Sequence, residues 1–303
     1  MQISVVIPLY NEEDSLVELH EKIISNLENF LIDYEIIFID DGSIDSSWSV
    51  IKNLCSSSKK TKGVQFLTNY GKSMALSEGF KLAKGKIVIT MDADLQDDPK
   101  EIIPLYKMIT ENNYDIVSGW KKKRYDSLIF KNLPSKLFNF AARLSSGISL
   151  NDFNCGIKAY KSDVIKEIEL TSGMHRYIPV LAKKSGFNKI AEKIVKHHPR
   201  VHGNTKYGPD RFIKGFLDLI TLSFFSRFGK RPMHFFGLFG TLILIVGFFF
   251  SIYLGIDKLF INTTGRLITE RPEFYISLAS MIIGSQFFLA GFLGELILRN
   301  SKK

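Results

Sequence analysis

The chain of 303 residues carries 40 Lys and Arg against 31 Asp and Glu, a formal net charge of +9. That length holds one large or two modest domains with a proper core. The charge calls for an anionic partner, whether phosphate ligands, nucleic acid or an anionic membrane surface. The two cysteines, Cys55 and Cys155, make no disulfide framework and lack metal-ligand spacing, which points to a reducing compartment. The opening ISVVIPLY has no basic flank and contains Pro8, so no signal peptide is expected.

Ile3 to Ile7 reads as a buried strand stopped by Pro8. Asn11 is placed to cap the helix that follows, whose apolar face is Leu16, Leu19, Ile23 and Leu27. A second strand, Glu35 to Ile39, ends in Asp40-Asp41-Gly42-Ser43, and Trp48, Ile51 and Leu54 mark the next helix. Val64 to Leu67 predicts a third strand, Lys72 to Ala83 a helix stopped by Gly85, and Ile87 to Met91 a fourth strand. Beyond Pro99 a helical stripe runs from Ile102 to Ile109, and Asp115 to Ser118 predicts a fifth strand. Strands alternating with helices at this spacing predict an α/β fold with a mostly parallel sheet flanked by helices.

The polar clusters Tyr10-Asn11-Glu12, Asp40-Asp41 and Asp92-Ala93-Asp94 each follow a predicted strand, where such a sheet binds ligands. Acids converging on one edge repel unless a cation or a donor-rich ligand meets them. Asp92, Asp94 and Gln96 offer two carboxylates and an amide, hard oxygen donors suited to Mg²⁺ or Mn²⁺. The other reading is a turn whose acids cap the next helix, since Asp98-Pro99 already looks like an N-cap with Pro at the first helical position. No Walker loop and no dinucleotide glycine fingerprint is present.

VVIPLYNEE, IDDGSIDSS and MDADLQDDP, in this order, resemble the family 2 glycosyltransferases of the GT-A fold. FNCGIKAYKSD, GMHRYIP and VKHHPRVHGNTKYG extend the resemblance to the polyprenyl-phosphate branch of that family, which includes dolichol-phosphate mannose synthases and bactoprenol glucosyltransferases. The resemblance implies that Pro8, Tyr10, Asn11, Glu12, Asp40, Asp41, Ser43, Lys72, Asp92, Ala93 and Asp94 bind a nucleotide sugar. It implies that Asp92, Asp94 and Gln96 hold the divalent ion, and that Lys121, Arg200 and Lys206 neutralise phosphate. Lys121 stands where an Arg is often seen and Thr205 where Ser commonly precedes the Lys; a lysine meets phosphate as a point charge, not as a fork.

Met233 to Ile256 and Phe274 to Leu298 are apolar runs long enough to span a bilayer. Arg227, Lys230 and Arg231 precede the first and Arg299, Lys302 and Lys303 follow the second, which predicts both termini on the cytoplasmic side of the inner membrane. Apolar faces over about 128–146 and 211–228 predict interfacial helices, with core packing as the other reading. The expected organisation is a cytosolic GT-A domain over 1–210, a juxtamembrane helix over 211–231 and two transmembrane helices over 232–303. His197, His198 and His202 have no Cys or carboxylate ligand nearby in sequence, so zinc is not expected. Nucleic acid is not expected either, since no recognition motif is present.

The expected activity is inverting transfer of a hexose, with glucose as the best candidate, from a UDP-sugar to undecaprenyl phosphate in the bilayer. Inversion is what the resemblance implies. A phosphate acceptor, with a second pKa near ~6, is already ionised and needs no general base. Asp92 and Asp94 are the expected catalytic pair, and Asp152 is a candidate active-site carboxylate or a loop acid capping local amides. Transfer to a glycan or lipid hydroxyl, and a non-enzymatic membrane scaffold with a vestigial site, are the alternatives. A homo-oligomer is compatible with all three.

Overall fold

The computed structural model describes residues 1–122, 139–140, 142–144, 146–170, 173–199, 221, 224, 228–229 and 231–300. The chain forms two compact units, Met1–Leu222 and Ser223–Lys303. The expected interfacial helices over 128–146 and 211–228 lie largely outside the described residues.

In the first unit the described strands are β1 (Ile3–Leu9), β2 (Tyr34–Asp40), β3 (Thr61–Gln65), β4 (Ile87–Thr90), β5 (Ile116–Trp120), β6 (Lys158–Lys161) and β7 (Ile190–Ile194). They make one sheet in the order β3-β2-β1-β4-β6-β5-β7. Every residue of β1, β2 and β4 is buried, as their continuous apolar runs require of strands covered on both faces. On one face Ile3, Val5 and Ile7 pack with Leu16, Leu19, Ile23 and Leu27 of α1 (Leu16–Glu28), and with α2 (Ser47–Ser57) and α4 (Ile102–Asn112). On the other face Val6, Ile37 and Val88 meet Ala75, Leu76 and Phe80 of α3 (Lys72–Leu82), and α5 (Ser162–Glu167) and α6 (Ile178–Lys184). The four apolar residues of α1 are fully buried, and each contributes on the order of 1.5–3 kcal/mol.

The sheet is mostly parallel, as expected, with one departure. β6 is antiparallel to both β4 and β5, pairing Thr90 with Lys158 and Ser118 with Lys158. Its first residue therefore sits at the edge where β4 and β5 end. β7 runs parallel to β5, so Ile194 reaches the same edge beside Trp120. The chain switches direction across the sheet between β1 and β4, and loops at such a switch point form a crevice.

Three sequence expectations need correction. β3 spans Thr61–Gln65, not Val64 to Leu67, because its register is set by pairing with Ile36 to Asp40. Leu67 is fully exposed. The chain turns off the sheet there because Asp41 takes the amides of Tyr70 and Gly71. Asn11 does not cap α1: its φ is 52°, its side chain accepts from Ile44 N–H, and the N-cap is Ser15. β5 is shifted to Ile116–Trp120.

The second unit contains α7 (Met233–Ile256), continued by a π-helical turn to Ile261, and α8 (Pro272–Asn300). Both are long and apolar enough to cross a membrane. They pack through small residues: a Cβ on Gly240 would lie 2.7 Å from the Gly284 carbonyl oxygen, and the Ser251 and Ser277 hydroxyls are 2.8 Å apart. At the loop end Arg271 donates to Asp257 at 2.6 Å.

Candidate active site

The loops after β1, β2 and β3 are interlocked. The Asn11 N–H donates to Ser43 Oγ at 2.8 Å, and the Glu12 N–H to Ser47 Oγ at 2.9 Å. The Ser43 N–H donates to Asp40 Oδ1 at 2.9 Å, while Asp40 Oδ2 is buried with no hydrogen-bond partner among the described residues. Asp41 accepts from the Tyr70 N–H at 2.8 Å and the Gly71 N–H at 2.9 Å. Burial pushes the Asp41 carboxyl up from its ordinary value against the pull of those amides. Gly42, at φ 72°, lies where a Cβ would come 2.5 Å from the Thr68 carbonyl carbon. The structure thus brings Tyr10 to Glu12, Asp40 to Ser43 and the start of α3 to one edge.

Lys72, the first residue of α3, forms an ion pair with Asp92 at the end of β4. Burial raises the Asp92 carboxyl, but the Lys72, Lys121 and Lys158 ammoniums outweigh it and hold it well below the usual carboxylate range. Gly156 lies flat against that carboxylate, where a Cβ would stand 2.4 Å from Oδ2. Asp94 Oδ1 accepts from the Gln96 N–H at 3.2 Å, and Leu95 between them takes φ 58°. Asp98 caps the following turn by accepting from the Lys100 N–H at 3.0 Å, so the capping role belongs to Asp98.

Among the described residues no three His, Cys, Asp or Glu side chains form a closed metal cage. The donor chemistry of Asp92, Asp94 and Gln96, two carboxylates and an amide, is the hard-oxygen kind that suits Mg²⁺ or Mn²⁺, ions that keep positions for water and phosphate. Gly156 leaves room for the Asp92 carboxylate, and the surrounding ammoniums keep it ionised, which a ligand oxygen must be.

Lys121 is only 11% exposed and pairs with Asp97 at 2.7 Å. The backbone of Asp97 also forms an antiparallel β-bridge with His197, and the His198 N–H donates to the Gln96 carbonyl at 2.8 Å. The segment after β7 is therefore pinned to the loop of Asp94 and Gln96. Arg200 and Lys206, which follow it in the chain, lie outside the described residues. Asp152 is buried, and its Oδ1 accepts from the Asn154 N–H at 3.1 Å. Glu192 of β7 clamps this loop by accepting from the Asn151 and Asp152 amides at 2.9 Å.

Lys158, His175, Ser73 and Glu192 carry no local signal in the sequence. Lys158 is 4% exposed, on the strand that was not expected. His175 meets Ser73 across 102 positions of sequence. No local pattern reports such contacts.

The mostly parallel sheet, covered on both faces and with acidic loops at its switch point, is GT-A-like. The profile of glycosyl transferase family 2 matches residues 4–169, and the chain belongs to that family. It is 33% identical over 301 residues to a dodecaprenyl-phosphate galacturonate synthase of Rhizobium johnstonii, covering 99% of this chain and 88% of that protein. It is 35% identical over 297 residues to an undecaprenyl-phosphate 4-deoxy-4-formamido-L-arabinose transferase of Edwardsiella ictaluri, covering 97% and 88%. Among solved structures, the glucosyl-3-phosphoglycerate synthase of Mycobacterium tuberculosis with Mn²⁺, uridine diphosphate and product superposes with a TM-score of 0.58. That match is 21% identical, covers 74% of this chain and 79% of the other, and shows the shared fold.

Proposed function

We propose that this protein transfers a hexose-type sugar, with inversion, from a UDP-sugar to undecaprenyl or a similar polyprenyl phosphate at the cytoplasmic face of the inner membrane. The observation that carries the reading is the Lys72–Asp92–Gly156 cluster at the switch point, beside the interlocked loops of Asn11 and Asp40. Relatives aligned over nearly the whole chain bear polyprenyl-phosphate names, and two helices of membrane-spanning length supply a route to a lipid acceptor.

Asp40, with its unmatched Oδ2, together with Tyr10, Asn11 and Glu12, offers acceptors to a nucleoside. Asp92, Asp94 and Gln96 would hold a divalent ion, which when bound supplies Lewis-acid neutralisation of the leaving diphosphate. Lys72 stands beside Asp92, ready to bring positive charge to the same diphosphate. Lys121 holds Asp97, and so the loop carrying Asp94, in place. Arg200 and Lys206 follow the pinned segment and would neutralise phosphate. An acceptor phosphate oxygen attacks C1 of the sugar, the bond from C1 to the diphosphate oxygen breaks, and UDP leaves with the electron pair. The attacking oxygen carries no proton, so no base is required. Asp152 accepts from the Asn154 N–H and so holds the loop that leads to Gly156.

The test is to incubate the purified protein with undecaprenyl phosphate, Mn²⁺ and UDP-sugars, UDP-glucose being the reference donor, and to identify the lipid by mass spectrometry. A sugar-phosphate-lipid is expected; its absence with every donor would defeat the proposal.

A further inference from the structure

The three ammoniums near Asp92 are engaged differently. Lys121, its side chain 11% exposed, is held by Asp97 at 2.7 Å. Lys158 is buried and donates to the Cys155 carbonyl. Lys72 donates to Asp92 Oδ1 itself, and with its side chain 31% exposed it has the most room to swing. It stands in the first turn of α3, on a four-carbon stem that carries its charge to more than one place.

Asp92 is also the carboxylate whose chemistry suits the divalent ion. Gly156 lies against it and closes off one side, so cations meet it from the side that remains, where Lys72 donates. Two cations on one carboxylate repel, and the repulsion grows where burial thins the water around them. An ion arriving without an anion of its own must displace the ammonium or sit beside its charge.

A diphosphate alters that balance. Its oxygens accept from an ammonium and ligate a divalent ion at the same time. Once a phosphate oxygen takes the Lys72 ammonium, Asp92 Oδ1 is released for the ion.

We infer that Lys72 is a built-in competitor of the divalent ion at Asp92, and that the nucleotide diphosphate recruits the ion by drawing Lys72 away. The inference rests on the metal-dependent nucleotide-sugar reading and adds an order to it: the ion is taken up with the nucleotide and held poorly without it. By linkage, the factor by which UDP tightens Mn²⁺ equals the factor by which Mn²⁺ tightens UDP.

The full-length protein in detergent is titrated with Mn²⁺, free Mn²⁺ being read from its electron paramagnetic resonance signal. One series contains no nucleotide; the other contains UDP raised to saturate each variant, with the Mn²⁺–UDP complex measured in buffer and subtracted. Lys72→Met should bind Mn²⁺ alone about ten- to a hundredfold more tightly than wild type, the scale of a charge-assisted hydrogen bond removed from the ligand oxygen. With UDP bound the same variant should gain nothing, so the coupling factor shrinks. Unchanged or weaker binding of Mn²⁺ alone would overturn the inference, because Lys72 would then only prop Asp92 in place or serve the diphosphate. Equal tightening with and without UDP would overturn it as well, since that is plain charge repulsion with no exchange. Either result leaves the transferase reading standing. Should Lys72→Met fail to fold, Lys72→Gln, which keeps a polar side chain at the helix start, decides by the same two titrations. Wild type that binds Mn²⁺ neither alone nor with UDP defeats the metal-dependent reading, and this inference falls with it.

Discussion

Gly156 and Asp92 touch face to face: a Cβ at 156 would stand 2.4 Å from Asp92 Oδ2 and 2.5 Å from its carboxyl carbon. The strand order makes this contact. β6 starts at the edge where β4 ends, so the turn before β6 is laid across the acid after β4. Gly156 is thus part of the site although it has no side chain to offer.

Gly156→Ala should cost about 1–3 kcal/mol of stability through overpacking, and should lower turnover by far more than that loss of folded protein explains. Thermal unfolding and the rate at saturating Mn²⁺ measure the two effects. Equal activity per folded molecule would show that Asp92 tolerates displacement.

Asp94→Asn should nearly abolish turnover while the protein remains folded and membrane-inserted. The carboxylate lies on a loop held at both ends, by the Gln96 amide and by the pairing of Asp97 with His197. Circular dichroism and the activity at graded Mn²⁺ check this. Wild-type rates in the variant would remove Asp94 from the ion site.

Much of this was legible in the sequence. β1, β2 and β4 were visible because strands buried on both faces must be apolar throughout, and the acids at their ends stood out against them. β6 was not visible. Its four residues, Lys-Ala-Tyr-Lys, show no apolar run, and only the fold reveals that Lys158 and Tyr160 are buried. Phe66 and Leu67 look like strand residues, whereas the pairing of β3 with β2 ends at Gln65. Asn favours caps, but it favours left-handed backbone as well, and that is the conformation Asn11 takes. The meeting of Ser73 with His175 is a long-range contact with no local signature.

His175 should leave a mark on the pH dependence of stability. Its folded pKa is depressed while the unfolded chain titrates near ~6.5, so the unfolded state binds more protons as the pH falls below that value. Stability is therefore fully present above ~6.5 and declines toward the lower folded pKa. Melting temperatures of wild type and His175→Gln between pH 8 and pH 5, conditions set at roughly the His range, should converge toward the acid end. Parallel curves would mean that His175 is not held neutral.

Arg200→Ala and Lys206→Ala should each lower catalytic efficiency by about ten- to a hundredfold, the scale of a lost charge-assisted phosphate bond. Nucleotide affinity without lipid tells which phosphate is held. If it falls, the residue serves the donor; if it holds while the lipid dependence worsens, the acceptor. Wild-type titrations for both would remove this loop from the site.

A cysteine introduced at Gly265, exposed in the loop between α7 and α8, should react with a membrane-impermeant reagent added to intact cells. That orientation is the one the positive-inside rule predicts from the basic residues at the outer ends of the two helices. Labelling only after lysis would reverse it.

The most direct measurement of the central claim compares undecaprenyl phosphate with undecaprenol as acceptors at equal concentration, following UDP release and the glycolipid formed. The account predicts Mn²⁺-dependent release with the phosphate, a product linked through that phosphate, and release at background with the alcohol. Equal turnover with undecaprenol would contradict it, because a hydroxyl acceptor needs the proton-accepting base that a phosphate does not.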